Sequence, residues 1–443
     1  MRKILLVLSD IVLLYAGLFL ALFIRYGEDF YEQLVNRHLL PFSIIFAVWL
    51  IIFYIAGLYD FRRLRNNLDF LKTLGLALFV NALLSILFFY LIPAFGITPK
   101  TNLFIFFLVF GMLETVWRRL FNRLTLSLQP ASNILLIGSN ETCKEISAFF
   151  ADNPQFGYRI KLWLKEHKEI AGIKEIGEWR ELVKKNGIDI IVIPRHFKKE
   201  SDFAKIFYNL LTLGVEIRDL TSFYEAVFRK IPLAEISEEW FLDELVEKER
   251  FYDGLKRGIE LIGALFLGIS LLPLELLTAL LIKIFSTGPS LYSQTRVGKN
   301  GKEFILYKFR TMRADAEKNG AQWAEPKDRR TTGIGKILRY SHLDELPQLV
   351  NIIKGELSFI GPRPERPEFV GLLRKKIPYY DIRHLVKPGI TGWAQIEYRY
   401  TSSVEDSAEK LKYDIYYIKN RSIFLDLAII LKTLKSFFIN PHT

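Results

Sequence analysis

The chain has a single cysteine, Cys143, among its 443 residues. One cysteine excludes an internal disulfide, and it excludes a zinc site built from several cysteines. Acidic residues are also in deficit, because 60 Lys and Arg stand against 48 Asp and Glu and give a formal charge of +12. No basic stripe with interleaved aromatics stands out, so we expect no nucleic-acid partner. The charge instead suits anionic lipid headgroups or phosphate substrates.

Long apolar runs are confined to residues 1–120 and to 259–282. A helix needs roughly 20 mostly apolar residues to span a bilayer. We therefore predict a four-helix transmembrane part over 1–120, with an uncleaved anchor at its start, since no small-residue cleavage site follows the first run. The predicted spans are Ile4–Ile24, Leu39–Ala56, Leu74–Phe95 and about Thr101–Trp117. Asp10 and Asn81 fall within spans and mark either a polar path or helix-packing contacts.

Basic residues near the span ends predict the orientation of the chain. Most of these basic residues lie before the first span, between the second and third spans, or after the fourth span. They are Arg2, Lys3, Arg62, Arg63, Arg65, Lys72, Arg118, Arg119 and Arg123. The alternate loops carry only Arg25, Arg37 and Lys100. We therefore expect a multi-pass membrane protein, with its N-terminus and everything after residue 118 in the cytoplasm.

From Asn133 onwards strands and helices alternate, which predicts a Rossmann-like α/β domain with a parallel sheet over residues 130–235. Gly138 ends the first predicted strand, where a dinucleotide-binding fingerprint would begin. Neither later glycine follows, and Glu141 would repel a pyrophosphate, so we favour a regulatory or assembly role over a bound dinucleotide. The predicted elements are strands Asn133–Gly138, Ile188–Ile193 and Val215–Leu220, and helices Glu141–Phe150 and Phe203–Leu213.

The run Ile259–Ile282 is again long enough to span a membrane. A full crossing would place the polar motifs of the C-terminal half outside the cell, yet basic residues flank both ends of the run. Ser270 and Pro273 lie near its middle, where a proline kinks a helix. We therefore predict a re-entrant helix hairpin over 257–284 that enters and leaves on the cytoplasmic side and bends around Ser270–Pro273. A kinked true span is the alternative.

Four polar motifs follow, and the first is rich in cations. It contains Arg296, and then Lys308 and Arg310, which are separated by one aromatic residue. On a strand the last two would share one face, and two cations on a rigid face suit a diphosphate. A solvated strand edge would show the same pattern.

The second motif places two acids, Asp344 and Glu345, shortly after Arg339. Capping and the helix dipole give one explanation for acids near a helix start. Alternatively, one acid attacks phosphorus while the other binds a divalent cation or handles a proton. An ordinary aspartate, with a pKa of about 3.9, is ionised at neutral pH and needs no base. A metal ion and nearby arginines must then offset its repulsion from a diphosphate.

The third and fourth motifs are rich in proline and glycine. Gly361-Pro-Arg-Pro presents Arg363 from a stiff loop. Lys387-Pro-Gly-Ile-Thr-Gly predicts a tight turn, and it is followed by Asp414, which is either a third metal-side carboxylate or a helix-surface charge. Residues 425–438 are apolar with two lysines, which is typical of a helix lying on a bilayer.

Together and in this order, the four motifs resemble those of the polyprenyl-phosphate glycosyl-1-phosphate transferases, the monotopic family often called bacterial sugar transferases. The resemblance covers about Phe251–Phe438, and the N-terminal half is similar to that of the long members, which add four spans and a Rossmann-like domain. It implies an α-rich monotopic catalytic domain over residues 250–443. In the small members of this family the serine and proline at the re-entrant bend are adjacent, whereas here Ser270 and Pro273 are separated by two leucines.

The resemblance implies transfer of a sugar-1-phosphate from a UDP-sugar to polyprenyl (undecaprenyl) phosphate, with release of UMP and a covalent aspartyl phosphosugar intermediate. Such a step initiates exopolysaccharide, capsule or O-antigen synthesis, and it implies a place in the bacterial inner (cytoplasmic) membrane. Asp344 would be the nucleophile and Glu345 its partner, with Mg²⁺ as the expected cofactor and Glu345 and Asp414 as its candidate ligands. The candidate phosphate-binding cations are Arg296, Lys308, Arg310, Arg339 and Arg363.

Two other functions stay open at this stage. A membrane-anchored nucleotide-sugar dehydratase would also join spans to a Rossmann-like domain, and Tyr252 and Lys256 have its Tyr-x-x-x-Lys spacing. NAD binding would support that enzyme. A non-catalytic scaffold for polysaccharide assembly would tolerate replacement of Asp344 by asparagine. The sequence does not specify the sugar, the pathway, the ligand of the middle domain or the oligomeric state, and a homodimer is compatible with it.

Overall fold

The structure, a computed structural model, describes residues 2–59, 68–92, 101–127, 131–165, 173, 175–199, 201–245, 250–313, 316, 330–398 and 403–439. The chain forms two compact units. The first is Met1–Ile193 with Phe197–Ile217, and the second is Pro194–His196 with Arg218–Thr443. Residues 218–235, which the sequence predicted to be part of the middle domain, belong to the second unit.

Apolar helices form the N-terminal part of the first unit. They are α1 (Arg2–Tyr26), α2 (Phe30–Gln33), α3 (Leu39–Ala56), α4 (Leu68–Leu91) and α5 (Asn102–Ser127). Among the described residues, three helical stretches of the chain are long and apolar enough to cross a membrane, namely Leu5–Ala56, Phe70–Leu91 and Phe251–Phe285. These helices are compatible with a membrane protein.

The predicted fourth span coincides with α5, which is not among those stretches. Glu114, Arg118 and Arg119 interrupt its apolar run. Of the basic residues used to predict the orientation, Arg62, Arg63, Arg65 and Lys100 lie outside the described residues. The number of spans and the orientation therefore stay predictions.

A buried ionic network links α1 to α5. The Arg118 guanidinium lies 2.5 Å from both the Asp10 and the Glu114 carboxylates, and all three side chains are fully buried. The Tyr59 hydroxyl donates a hydrogen bond to Asp10 at 2.7 Å. Because a buried charge is costly unless it is paired, Asp10 serves helix packing, which was one of the two roles that the sequence left open.

An α/β part follows along the chain, with a four-stranded sheet of order β2–β1–β3–β4. It belongs to the first unit except for residues 194–196, 218 and 219. β1 pairs in parallel with both β2 and β3. The strands are β1 (Ser132–Ile137), β2 (Tyr158–Leu164), β3 (Ile190–Ile193) and β4 (Glu216–Asp219). The helices are α6 (Glu141–Asp152), α7 (Ile176–Asn186), α8 (Arg195–Lys199) and α9 (Ser201–Leu211). Where a fingerprint would need a glycine, Asn140 instead caps α6 by accepting a hydrogen bond from the Cys143 backbone N–H at 2.9 Å.

The second unit is mainly helical and contains two small sheets. β5 and β6 form an antiparallel hairpin, and β7 pairs in parallel with β8. The strands are β5 (Leu291–Val297), β6 (Glu303–Phe309), β7 (Ser358–Ile360) and β8 (Gly389–Thr391). The helices are α10 (Leu220–Phe228), α11 (Glu238–Glu244), α12 (Arg250–Phe285), α13 (Gly333–Ser341), α14 (Gln348–Lys354), α15 (Pro367–Lys376), α16 (Trp393–Glu397), α17 (Val404–Lys419) and α18 (Ile423–Ile439).

Both ends of α12 pack on this second unit. Near its start, the Arg257 guanidinium donates hydrogen bonds to the carbonyl oxygens of Ile352 and Ile353, which end α14. Near its end, Ile282 is fully buried in a core with Phe309 and Leu338. The two ends of the apolar helix therefore contact the same compact body.

The middle of α12 is apolar and exposed. Phe266 and Ile269 are 68% and 74% exposed. The helix runs through Ser270 and Pro273 as one element of 36 residues, where the sequence predicted the bend of a hairpin. A proline removes one backbone donor and often only kinks a helix, so helical structure on both sides can continue. The re-entrant path stays a prediction.

Glu260 provides a test of how firmly α12 is fixed. Its carboxylate is 5% exposed and accepts hydrogen bonds from the Ser358 hydroxyl and the Phe359 backbone N–H. We expect Glu260→Ala to lower the free energy of unfolding by about 2 kcal/mol, since two buried donors lose a charged acceptor. Thermal unfolding of the detergent-solubilised protein measures the loss. Glu275→Ala on the same helix is the matched control, and an equal loss in both variants would contradict this role.

Candidate active site

The β5–β6 hairpin supplies the first cation of the site. Lys308 lies opposite Tyr292 in the hairpin, and its ammonium is 5.3 Å from the centre of the Tyr292 ring. Burial, followed by the nearby Arg296 guanidinium, lowers the pKa of Lys308 to about 8. Lys308 is therefore charged at neutral pH but is less strongly protonated than a surface lysine.

Asp344 lies in a single 3₁₀ turn, Leu343–Glu345, directly after α13. His342 adopts a left-handed conformation with φ of 54°, which ends α13 and redirects the chain. Leu343 and Leu346 pack against the core around Ile282. This packing on both sides of the turn fixes Asp344 in a buried position, where it is 8% exposed.

The charges around Asp344 oppose one another. Burial, and then the adjacent Glu345 carboxylate, raise the pKa of Asp344 to about 6, while Lys308, Arg339 and Arg363 act against this shift. A buried carboxylate favours its neutral form, and neighbouring cations restore the ionised form. At neutral pH the group is consequently ionised but poorly hydrated, and this state suits a nucleophile.

Arg339 and Arg363 are held by different contacts. Arg339 on α13 donates hydrogen bonds to the hydroxyls of Thr311 and Thr331 at 3.0 and 3.1 Å. Arg363 is exposed and donates to the Glu345 carboxylate at 3.2 Å. The structure therefore brings together five predicted site residues, namely Lys308, Arg339, Asp344, Glu345 and Arg363.

Arg296 lies beside this group and supports the proline-rich loop. Its guanidinium donates a hydrogen bond to the Pro364 carbonyl oxygen at 2.9 Å and another to the Gln294 side chain at 2.5 Å. Burial lowers the pKa of Arg296 to about 10. The first contact connects Pro364, the residue after Arg363, to strand β5.

Arg310 directly follows β6, which ends at Phe309. Its backbone N–H donates to the Ser290 carbonyl oxygen at 2.8 Å. Its place on the Lys308 face stays a prediction. The buried Arg310 side chain donates hydrogen bonds to the carbonyl and hydroxyl oxygens of Ser286 at 3.1 Å. It passes so close to Gly288 that a Cβ there would lie 2.3 Å from its Nη1. Arg310 thus holds the chain that leaves α12.

Asp414 forms a buried ion pair with Arg383. Its carboxylate, 2% exposed on α17, pairs with Arg383 at 3.1 Å, and Arg383 donates a hydrogen bond to the Arg363 carbonyl oxygen at 2.9 Å. Burial raises the pKa of Asp414 to about 6, against the effect of Arg383. Within the part of the chain that the structure describes, no three His, Cys, Asp or Glu side chains are grouped to hold a metal ion.

Arg383 was not among the predicted site residues, because it belongs to no motif. Its hydrogen bond to the Arg363 carbonyl oxygen joins two turns that sequence spacing does not relate. The pair Tyr252 and Lys256, on which the dehydratase alternative rested, lies on α12 in the second unit. There Tyr252 donates to Asp426 at 2.7 Å and Lys256 donates to the Ile360 carbonyl oxygen at 2.8 Å.

Replacement of Asp414 tests the support of the Arg363 loop. Asp414→Asn leaves the buried Arg383 charge without its nearest carboxylate, and breaking such a pair costs about 3 kcal/mol. We expect that loss in chemical or thermal unfolding. Asp381→Asn is the matched control, because Asp381 and Arg374 form a pair that is more than half exposed and is worth less than about 1 kcal/mol. Similar losses in the two variants would contradict the proposed support.

Comparison with known proteins places this site in a family. Residues 251–440 match the bacterial sugar transferase family. The UDP-N-acetylgalactosamine-undecaprenyl-phosphate N-acetylgalactosaminephosphotransferase of Aeromonas hydrophila is 45% identical over 185 residues, which are 42% of this chain and 44% of that relative. The chain thus spans less than half of that relative.

Two further relatives are UDP-glucose:undecaprenyl-phosphate glucose-1-phosphate transferases. The one from Caulobacter vibrioides is 39% identical over 183 residues, which are 41% of this chain and 68% of that relative. The one from Klebsiella pneumoniae is 28% identical over 459 residues, which are 98% of this chain and 94% of that relative. The chain belongs to the bacterial sugar transferase family.

Proposed function

We propose that this protein transfers a sugar-1-phosphate from a UDP-sugar to undecaprenyl phosphate and releases UMP, through a covalent phosphosugar on Asp344. The observation that supports it most is a buried carboxylate of raised pKa among Lys308, Arg339 and Arg363, inside the segment that matches the family. The names of the three relatives give undecaprenyl phosphate as their acceptor and a UDP-sugar as their donor.

In the first step, an ionised oxygen of Asp344 attacks the sugar-linked phosphorus of the donor. The bond from that phosphorus to the bridging oxygen breaks, and the electron pair leaves with UMP. Lys308, Arg339 and Arg363 offset the charge of the diphosphate as it approaches a carboxylate. Asp344 needs no general base because it is already ionised at neutral pH.

In the second step, an oxygen of the lipid phosphate attacks the phosphorus of the aspartyl phosphosugar. The Asp344–phosphorus bond breaks, and the carboxylate returns to its starting state. The product is an undecaprenyl diphosphosugar. The ionised carboxylate is a good leaving group, so one residue serves both steps.

Mg²⁺ is proposed as the cofactor, and the site fits it in part. Mg²⁺ usually binds through one or two protein carboxylates together with substrate phosphates. Asp344 and Glu345 offer two adjacent carboxylates whose mutual repulsion contributes to the raised pKa of Asp344. A bound Mg²⁺ would supply positive charge to the diphosphate. Asp414 is paired with Arg383 and is not assigned as a ligand.

We further propose that α12 is re-entrant and that the second unit faces the cytoplasm at the inner membrane. Support comes from the contacts of Arg257 and Ile282 with the same unit, and from the exposed apolar middle of the helix. Such a helix would hold Asp344 near the depth of lipid phosphates. Four N-terminal spans and a Rossmann-like middle domain with a regulatory or assembly role complete the proposal.

Replacement of the nucleophile tests the proposed reaction. We expect the full chain to release UMP from at least one member of a UDP-sugar panel when undecaprenyl phosphate is present. Asp344→Asn should lower that rate by at least about a thousandfold, because the amide cannot form the acyl phosphate. Asp381→Asn is the control and should retain the rate. Normal UMP release by Asp344→Asn would exclude the proposed mechanism, and NAD binding would favour the dehydratase.

The pH dependence tests the charge balance at the site. Asp344 must be deprotonated to attack, so kcat/KM should rise with pH up to about 6 and then level off. It should fall again above about 8, where Lys308 loses its proton. In Lys308→Met the acid limb should move to higher pH, because a cation that favours the ionised carboxylate is gone, and the alkaline limb should disappear. Lys354→Gln is the control, and an unaltered profile in Lys308→Met would refute the assignment.

A further inference from the structure

A second polar site lies at the other end of α12. A cavity of about 310 Å³ opens there, and Asp344 does not line it. Its walls come from the first turns of α12, from β7 and from the chain before β8. The cations that line it are Lys256, Arg257, Lys299, Lys387 and Arg421.

The acidic residues in and beside the cavity have contacts of their own. Asp253 forms an ion pair with Arg421 at 2.9 Å. Glu260 accepts the hydrogen bonds of Ser358 and Phe359 described above. Lys256 pairs with Asp426 at 3.0 Å. Asp253 and Glu260 also attract Lys387. Even so, the five cations of the lining exceed these two carboxylates and Asp426, which leaves a net charge of +2.

Three cations of the cavity form no ion pair with a carboxylate that the structure describes. Within the described ranges, Lys299 and Lys387 have no ion pair with a carboxylate, and Arg257 donates only to backbone carbonyl oxygens. Arg257 and Lys387 are neighbours, since a Cβ at Gly355 would lie 3.3 Å from one and 3.5 Å from the other. Burial, and then the Arg257 guanidinium, lower the pKa of Lys387. Like charges held this close favour an anion between them.

Apolar side chains at the same end of α12 indicate where that anion comes from. Phe251, Ile259 and Ile262 are 83%, 57% and 71% exposed, and they alternate along the helix with the cavity residues Lys256 and Arg257. A surface that combines exposed apolar groups with unpaired cations suits the boundary between acyl chains and anionic headgroups. A site for a soluble anion would not need the apolar groups.

We propose that this cavity binds the phosphate group of an anionic membrane lipid. The site is separate from the reaction at Asp344, so the proposal does not depend on the proposed transfer reaction. Binding there would fix the depth and tilt of the first half of α12 in the membrane. Because Glu260 and Arg257 connect this half to β7 and α14, a bound lipid would also stabilise the elements next to the active site.

The test measures lipid binding by the full chain in mild detergent, without a sugar nucleotide. Short-chain phosphatidylglycerol is titrated against short-chain phosphatidylcholine, and inorganic phosphate forms a third arm. Retained lipid is counted by native mass spectrometry. We expect a preference for phosphatidylglycerol that weakens about fivefold in Lys387→Gln, and further in Lys299→Gln/Lys387→Gln, since each cation near an anionic surface contributes about that factor. Lys302→Gln, an exposed lysine outside the cavity lining, should leave the preference unchanged.

Three results would overturn the proposal. Equal losses in Lys302→Gln and Lys387→Gln would indicate a general effect of surface charge. No preference for phosphatidylglycerol, together with tight binding of inorganic phosphate, would make this a site for a soluble anion. If Lys387→Gln does not fold, Lys299→Gln alone decides the matter, because Lys299 is exposed. An unchanged preference in that variant would then reject the site.

Discussion

The proposed reaction of the second unit depends on one carboxylate, Asp344, that is buried from water and still ionised. Removing Asp344 from solvent beside Glu345 favours protonation, while the neighbouring cations favour the ionised form, and the balance leaves its pKa at about 6. A fully solvated aspartate would be a hydrated and weaker nucleophile, whereas burial without cations would leave a neutral acid. The packing of Leu343 and Leu346 around the turn maintains the position on which this balance depends.

The surrounding structure also positions the cations. Lys308 is fixed by a β-hairpin, Arg339 by two threonine hydroxyls, and Arg363 by a loop whose carbonyl groups are held from two sides. Arg296 binds one carbonyl of that loop and Arg383 binds another. The same body also holds both ends of α12, so an apolar helix and a polar site share one framework. This arrangement would allow the proposed reaction between a soluble and a lipid-linked phosphate to occur beside a bilayer.

Short motifs with unusual chemistry could be predicted from the sequence, and long-range contacts could not. Adjacent acids and a proline-flanked arginine singled out Asp344 and Arg363, which lie close together in the structure, because those patterns are rare and local. Alternation along a strand placed Arg310 with Lys308, but it could not reveal the contacts of Arg310 with Ser286 after α12. Asp414 was considered as a metal ligand because the sequence does not show its ion pair with Arg383, which lies in another turn.

In the α/β part the largely apolar strands β1 and β3 were predicted. Strand β2, whose burial alternates, was missed.

The central claim is that Asp344 becomes covalently bonded to phosphorus. Its most direct measurement uses a donor labelled in the sugar-linked phosphate, incubated with the full chain in the absence of lipid acceptor and followed by digestion and peptide mapping. The account predicts a labelled phosphosugar on the peptide that contains Asp344, and loss of the label when undecaprenyl phosphate is added. Unlabelled peptide from a preparation that turns over normally with both substrates would contradict it.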